Sequence, residues 1–291
     1  MKPARLSPTG ALKYETCPRQ YLLEDVRKIR PAHRPANLAF GGVLHLVVEE
    51  WIKGWMAGKP FDPAAMFDRE WRAAREAEGV EYSASQSPET LGATGRALAA
   101  RFAERWPGFG RLPALDRHGE PLIERKLEAR VGPDLVVVGK PDLVVFDPEG
   151  RLEVLDLKTP AAPADPAWLA LADQLTAYQV LLDAHAERLG LPRVERLGLL
   201  ELVKRKVTPK GQGPEVRAPV SVDRRSPEAV GEYLAKLRGI AGDLRRGRFP
   251  RRSLMAHNSP CGLCAVEGYC RAGDAEGLIV PEAEPGAARA A

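Results

Sequence analysis

Hydrophobic positions along this chain change period several times, and each change marks a predicted element. In 41–57, GGVLHLVVEEWIKGWMA, the apolar residues Leu44, Val47, Val48, Trp51, Ile52 and Trp55 recur three and four apart, which predicts a helix with one buried stripe. Segments 62–78 and 88–106 are further helices, each opened by Asp or Ser followed by Pro. Segments 121–131, 134–146 and 151–158 alternate or run apolar with β-branched residues and predict strands. A long helix over 165–189, strands over 197–207 and 215–222, and a helix over 227–247 complete the pattern. Helices, a strand meander, then helix, strand and helix predict the α/β class, a mixed β-sheet flanked by helices. Residues 1–273 read as one continuous unit without internal repeats. The end, 274–291, is rich in Ala, Gly, Pro and Glu and reads as a flexible tail.

Two of the predicted strands raise a chemical question. In GKPDLVVFDPEGRLEVLDLKTP, 139–160, each apolar run carries one acid, Asp142 in the first and Asp156 in the second. The turn Asp147-Pro148-Glu149-Gly150 has Pro where a type I turn wants it and Gly where a left-handed residue follows, so Asp147 and Arg151 become partners. Counting back along both strands sets Asp142 opposite Asp156, with Cβ atoms roughly 4.5–5.5 Å apart. Two carboxylates there repel unless a divalent cation lies between them. Lys158 emerges on the same face as Asp156 and can orient a water or offset charge on a phosphate. The same count sets Lys140 against Lys158, so the strands are expected to splay beyond Asp142. His45, buried in the apolar helix, is a third ligand candidate, with Glu49 one turn on as support. Gln174 and Tyr178, four apart on a later helix, can hydrogen-bond a phosphate, a base or the lysine.

Composition narrows the class more than the function. The chain has 291 residues, 44% hydrophobic and 28% charged, which excludes a disordered or fibrous protein. No run of eighteen apolar residues marks a membrane span, and MKPARLSPTG lacks a secretory core, so a cytoplasmic location is expected. The net charge of +4 is mild. Two local clusters, VKRKVTPKGQG (203–213) and LRRGRFPRRS (244–253), read either as phosphate-binding patches or as solvated faces. The glycine-lysine stretch GPDLVVVGKP has the wrong spacing for a phosphate-binding loop and Pro after its Lys, so any ATP-driven unwinding would come from a partner.

The four cysteines are Cys17, Cys261, Cys264 and Cys270. The last three stand as C-x2-C-x5-C, a ligand-like rather than disulfide-like spacing in a cytoplasmic chain. With Cys17 they make a four-thiolate site for zinc or an iron–sulfur cluster. A single cysteine in place of one zinc knuckle favours [4Fe–4S]. Either would clip residue 17 to residues 261–270 as a structural clamp.

These motifs together resemble the RecB-type nucleases of the PD-(D/E)XK superfamily, in particular the iron–sulfur branch with the CRISPR-associated adaptation exonuclease and the AddB and Dna2 nuclease domains. The matching residues are LSPTGALKYETCPRQYLLE, Gly41 to Glu49 with His45, Gly139 to Asp142, Asp156-Leu157-Lys158, Gln174 to Tyr178 and the C-terminal cysteines, in that order over about 6–270. The resemblance implies a restriction-endonuclease-like core over 1–273 whose N- and C-terminal parts are joined by the cluster. It implies Mg²⁺ or Mn²⁺ on His45, Asp142, Asp156 and the carbonyl of Leu157, and Lys158 as catalytic lysine with Asp142, Asp156, Gln174 and Tyr178 around it. The (D/E)-x-K acid is Asp here, where the family also uses Glu. The function implied is a DNA nuclease, an exonuclease on single-stranded or frayed ends, serving repair, recombination or CRISPR adaptation with a helicase or adaptation partner. The alternatives are a non-catalytic nucleic-acid-binding subunit of a helicase–nuclease complex and a site-specific endonuclease.

Overall fold

The computed structural model describes residues 3–205, 213–252 and 259–281. Its contacts divide the chain into two compact units. The larger combines Arg34–Ala129 with Gly139–Ser226, and the smaller combines Met1–His33, Arg130–Val138 and Pro227–Ala291. No helix among the described residues is long and apolar enough to cross a membrane.

The larger unit is built on a mixed sheet. Its strand order is Glu215–Val216, Arg196–Val203, Leu152–Lys158, Leu143–Phe146 and Leu112–Pro113, and Val220–Asp223 also pairs with Arg196–Val203. The two central strands, Leu152–Lys158 and Arg196–Val203, run parallel. A parallel pair needs a crossover; here the connecting chain includes the helix Asp173–Leu189. Helix Ala36–Met56 lays Phe40, Val43, Leu44, Val47, Val48, Trp51 and Ile52 on the core. Phe67 and Trp71 from Pro63–Glu78, Leu98 and Phe102 from Pro88–Arg105, and Leu143, Leu155, Leu157 and Leu200 from the sheet meet them. Leu155 and Leu157 therefore define the face turned to those helices. The alternation of a strand sends Asp156 and Lys158 to the opposite face.

Several predicted bounds shift for local reasons. The first long helix begins at Ala36, five residues early, because Ala36, Ala39 and Phe40 extend its buried stripe. Segment 121–131 is a strand only at Leu127–Arg130, with Pro121 and Ile123 making isolated bridges. Segment 134–146 is two strands, Leu135–Gly139 and Leu143–Phe146, broken at Pro141, which has no N–H to give a ladder. Segment 165–189 is a 3₁₀ turn, Pro166–Leu171, capped by Asp165, followed by the helix Asp173–Leu189.

In the smaller unit Ala4–Leu6 pairs in parallel with Leu135–Val137. Helices Pro8–Thr16 and Pro227–Arg245 follow, and Leu23, Ile29 and Val266 form a satellite core of their own. Within the segment expected to be loose, Leu278–Ile279 pairs antiparallel with Arg30–Pro31, whereas 282–291 lie outside the described residues. Much of the basic stretch 203–213 (206–212) and Ser253 of the second cluster lie outside them too. In the described part of 244–253, Arg245 pairs with Asp134, and Arg246 and Arg248 both pair with Asp243, so these charges are met within the fold.

Candidate active site

The hairpin between Leu143–Phe146 and Leu152–Lys158 keeps the register read from its turn. Asp147 N–H donates to Arg151 O at 3.0 Å, Gly150 has φ +80°, and the ladder runs from Phe146↔Leu152 to Leu143↔Leu155. Asp142 and Asp156 would be the next pair, but the ladder stops one residue short. Continued, it would set Leu157 against Pro141, which cannot donate. The Leu157 N–H turns instead to the Asp142 carboxylate, 2.7 Å away. The side chain of Asp142 thus occupies the opening where the strands part, and the Leu157 carbonyl faces the same opening by register.

Three ligand-type side chains converge there. His45 Nδ1 lies 2.8 Å from Glu124 Oε1 and 3.7 Å from Asp142 Oδ1. Among the described residues, His45, Glu124 and Asp142 form the one group of three or more metal-ligating side chains whose ligand atoms all lie within 4.8 Å of one another. Glu124 arrives through the segment that bridges the far edge of Leu143–Phe146: Val144 N–H donates to Leu122 O, and Glu124 N–H donates to Asp142 O at 2.9 Å. Its φ of +50° is left-handed, an arrangement that costs a non-glycine residue about 1–3 kcal/mol.

Asp156 is buried and lies, like Asp142, on the face opposite Leu143, Leu155 and Leu157. Lys158 Nζ lies 2.8 Å from Asp156 Oδ2 and 3.1 Å from Gln174 Oε1, and Gln174 Nε2 donates to the Tyr178 hydroxyl at 2.7 Å. The lysine is about half exposed, so this relay leaves its ammonium reachable. Lys140, counted as a partner of Lys158, instead pairs with Glu124 because the strands have parted. Glu49 is engaged with Lys53, 2.7 Å away, rather than with His45.

The electrostatics describe a site built for positive charge. Burial raises the Asp142 carboxyl to about 7, and the charge of Asp156 adds to the effect. Burial opposes protonation of His45, but the Glu124 hydrogen bond and the charges of Asp142 and Glu124 outweigh it and hold the imidazole above its ordinary value. Glu124, despite its burial, is kept below the usual range by His45 and Lys140. Burial, then the two aspartates, pushes the Tyr178 hydroxyl far up, so it stays neutral. Protons on His45 and Asp142 and the ammonium of Lys140 balance the acids. A divalent cation can displace those protons, since a hard cation takes carboxylate oxygens and an imidazole nitrogen. The donor set fits such an ion.

The structure therefore brings together His45 and Asp142 as read from sequence and adds Glu124, which that reading passed over. Asp156, in contact with Lys158, acts on Asp142 from the same face of the hairpin and raises its carboxyl; its oxygens are not among the three ligand atoms that lie within 4.8 Å of one another. The sequence signal for Glu124 was slight: one acid directly after Leu122 and Ile123, both buried.

All four cysteines are free, half-buried and in the smaller unit. Cys264 and Cys270 pack against Leu23, Ile29 and Val266. Burial pushes the Cys264 thiol up, with Glu24, Cys17 and Cys261 contributing. No three of the thiols lie within 4.8 Å of one another.

The family model of the PD-(D/E)XK nuclease superfamily matches residues 5–271. The chain belongs to the PD-(D/E)XK nuclease superfamily. No curated protein matches it. Among solved structures it is similar to one titled SSO0001, at 12% identity and a TM-score of 0.40, covering 92% of this chain and 86% of that one. It is also similar to an alkaline exonuclease from Laribacter hongkongensis, at 13% identity and a TM-score of 0.26, covering 62% of this chain and 97% of that one. At such scores neither carries an argument, and the assignment rests on the family match.

Proposed function

We propose that this chain is a Mg²⁺- or Mn²⁺-dependent deoxyribonuclease, an exonuclease acting on single-stranded or frayed DNA ends. The observation that carries the reading is the convergence of His45, Glu124 and Asp142 at the end of the strand that presents Lys158. His45, Asp142, Asp156 and the Leu157 carbonyl, joined by Glu124, would hold the cation. Bound there, such an ion polarises a phosphoryl oxygen and makes water a competent nucleophile near neutral pH. Asp156 and Gln174 fix the Lys158 ammonium, which orients the attacking water and offsets charge developing on the phosphate. Tyr178, kept protonated, holds Gln174 in place. The preference for DNA ends follows the family resemblance, as does a cytoplasmic role in repair, recombination or CRISPR adaptation beside a helicase or adaptation partner.

The all-thiol set of Cys17, Cys261, Cys264 and Cys270 supports a [4Fe–4S] cluster, with zinc as the alternative. The cluster would join residues near the two ends of the smaller unit. A brown preparation with iron-dependent visible absorption supports the cluster, and a colourless one with stoichiometric zinc rejects it.

The test of activity is degradation of end-labelled single-stranded DNA with Mn²⁺. Wild type should shorten linear strands and spare circular ones, and Lys158→Ala should leave both intact. Equal inactivity of both proteins would refute the enzyme reading, and cutting of circles would refute the exonuclease one.

A further inference from the structure

The larger unit carries a second depression whose chemistry is the reverse of the metal site. Thr159 and Pro160, which directly follow Lys158, line one side of it. Asn37 at the start of helix Ala36–Met56, Thr90 and Thr94 from helix Pro88–Arg105, and Lys204 line the rest of a cavity of about 470 Å³. No acid contributes to its wall. Lys204 Nζ donates to Asn37 Oδ1 at 3.1 Å and sits 5.3 Å from the centre of the Phe40 ring. Among the described residues no carboxylate pairs with it, whereas Lys140 and Lys158 beside the metal site each have one. Burial lowers its pKa, as expected for a cation without a counter-charge. Asn37 Oδ1 also accepts from Gln86 Nε2 at 2.8 Å, which fixes the amide that steers the lysine.

The metal site gathers three acids, Glu124, Asp142 and Asp156, so a strand entering it gains from a foothold of opposite character close by. We propose that this pocket holds one backbone phosphate of the DNA strand, adjacent to the phosphate being cut. Lys204 supplies the charge and the Thr159 hydroxyl a neutral donor; the Thr94 hydroxyl already donates to Thr90 O at 2.8 Å, and Thr90 shares its hydroxyl with Ser87, so these two shape the wall. The pocket is joined to the metal site by the chain itself, through Lys158-Thr159-Pro160. Lys204 N–H donates to Pro160 O at 2.8 Å, which ties the two ends of the foothold together. The inference rests on the nuclease reading.

Two variants test it. Lys204→Gln removes the charge. Thr90→Glu puts an acid into the pocket at the third position of its helix, where Ser87 already caps the Thr90 N–H. That completes a capping box, so the helix is not weakened. Oligothymidylate binding is followed by fluorescence anisotropy against KCl, and cleavage by steady-state kinetics with Mn²⁺. For Lys204→Gln the slope of log K against log salt should fall by about 0.7, the share of one single-strand phosphate, and Lys204→Arg should restore it. Both Lys204→Gln and Thr90→Glu should raise KM roughly tenfold, the scale of one charged hydrogen bond, and leave kcat unchanged. An oligonucleotide with one methylphosphonate at the contacted linkage should bind wild type more weakly and Lys204→Gln no differently. If wild type cleaves DNA and both variants match its KM and salt slope, the pocket assignment alone is overturned. If wild type neither binds nor cleaves DNA, the nuclease reading falls with it.

Discussion

Replacing Asp142 with Asn should make the cation-free protein more stable while abolishing its response to Mn²⁺. The Asp142 carboxyl is held at about 7 rather than its ordinary 3.8, so ionising it in the folded state costs roughly 4 kcal/mol more than in the unfolded chain. The sign follows from the direction. A raised carboxyl opposes folding above its unfolded pKa, and the penalty is complete above about pH 7. Below about pH 4 the group is protonated in both states and the penalty vanishes. Asparagine carries no such cost and can still accept the Leu157 N–H. The attraction of His45, 3.7 Å away, is already contained in that figure; burying the Asn amide N–H₂ offsets part of the gain and leaves about 2–3 kcal/mol at pH 8. At about 2–4 °C per kcal/mol for a unit of this size, Asp142→Asn should melt about 5–10 °C above wild type in EDTA at pH 8. The two should converge near pH 4. Added Mn²⁺ should raise the wild-type midpoint by mass action and leave the variant where it was. Circular dichroism melts with and without the ion suffice. A variant that melts below wild type in EDTA at pH 8 would refute the claim that this acid is held at the expense of stability to receive a cation.

Other consequences are as direct. Gln174→Ala removes the acceptor that fixes Lys158, and it should lower kcat about 10–100-fold while Mn²⁺ affinity, read by calorimetry, stays the same. Glu124→Gln should weaken Mn²⁺ by at least tenfold in the same measurement; an unchanged affinity would remove Glu124 from the ligand set. Because Asp142 and His45 must both lose their protons to bind, apparent cation affinity should rise at least tenfold per pH unit as pH increases toward 7 and more gently above it, with proton uptake by buffer measured alongside. Gly95→Ala would place a methyl 1.9 Å from Cζ of fully buried Phe67, so it should destabilise the fold by about 1–3 kcal/mol in urea titration without altering cation affinity.

Much of this site was legible in the sequence because a hairpin propagates information. Gly150 and Pro148 fixed the turn, the turn fixed the register, and the register aligned Asp142 with Asp156 two strands' length before any tertiary contact was considered. His45 was legible for a similar reason, an ionisable group inside an apolar helical stripe. What escaped depends on where chain segments end rather than on how they repeat. Pro141 was visible, yet its effect, opening the ladder so that Asp142 takes the Leu157 N–H, depends on both strands at once. Glu124 escaped because it belongs to no regular strand; its left-handed backbone and its bond to Asp142 O place it, and neither follows a period. That Asp142 and Asp156 share one face followed from the register, but only the packing of helix Ala36–Met56 on Leu155 and Leu157 says which face that is.

The central claim is that one hard divalent ion binds where His45, Glu124 and Asp142 meet. The direct measurement is anomalous scattering from a crystal of the full chain soaked in Mn²⁺. The account predicts a single strong peak in the larger unit, within roughly 2.0–2.3 Å of His45 Nδ1 and one oxygen each of Glu124 and Asp142. Well-ordered side chains with no peak between them, or a peak bound by other residues, would contradict it.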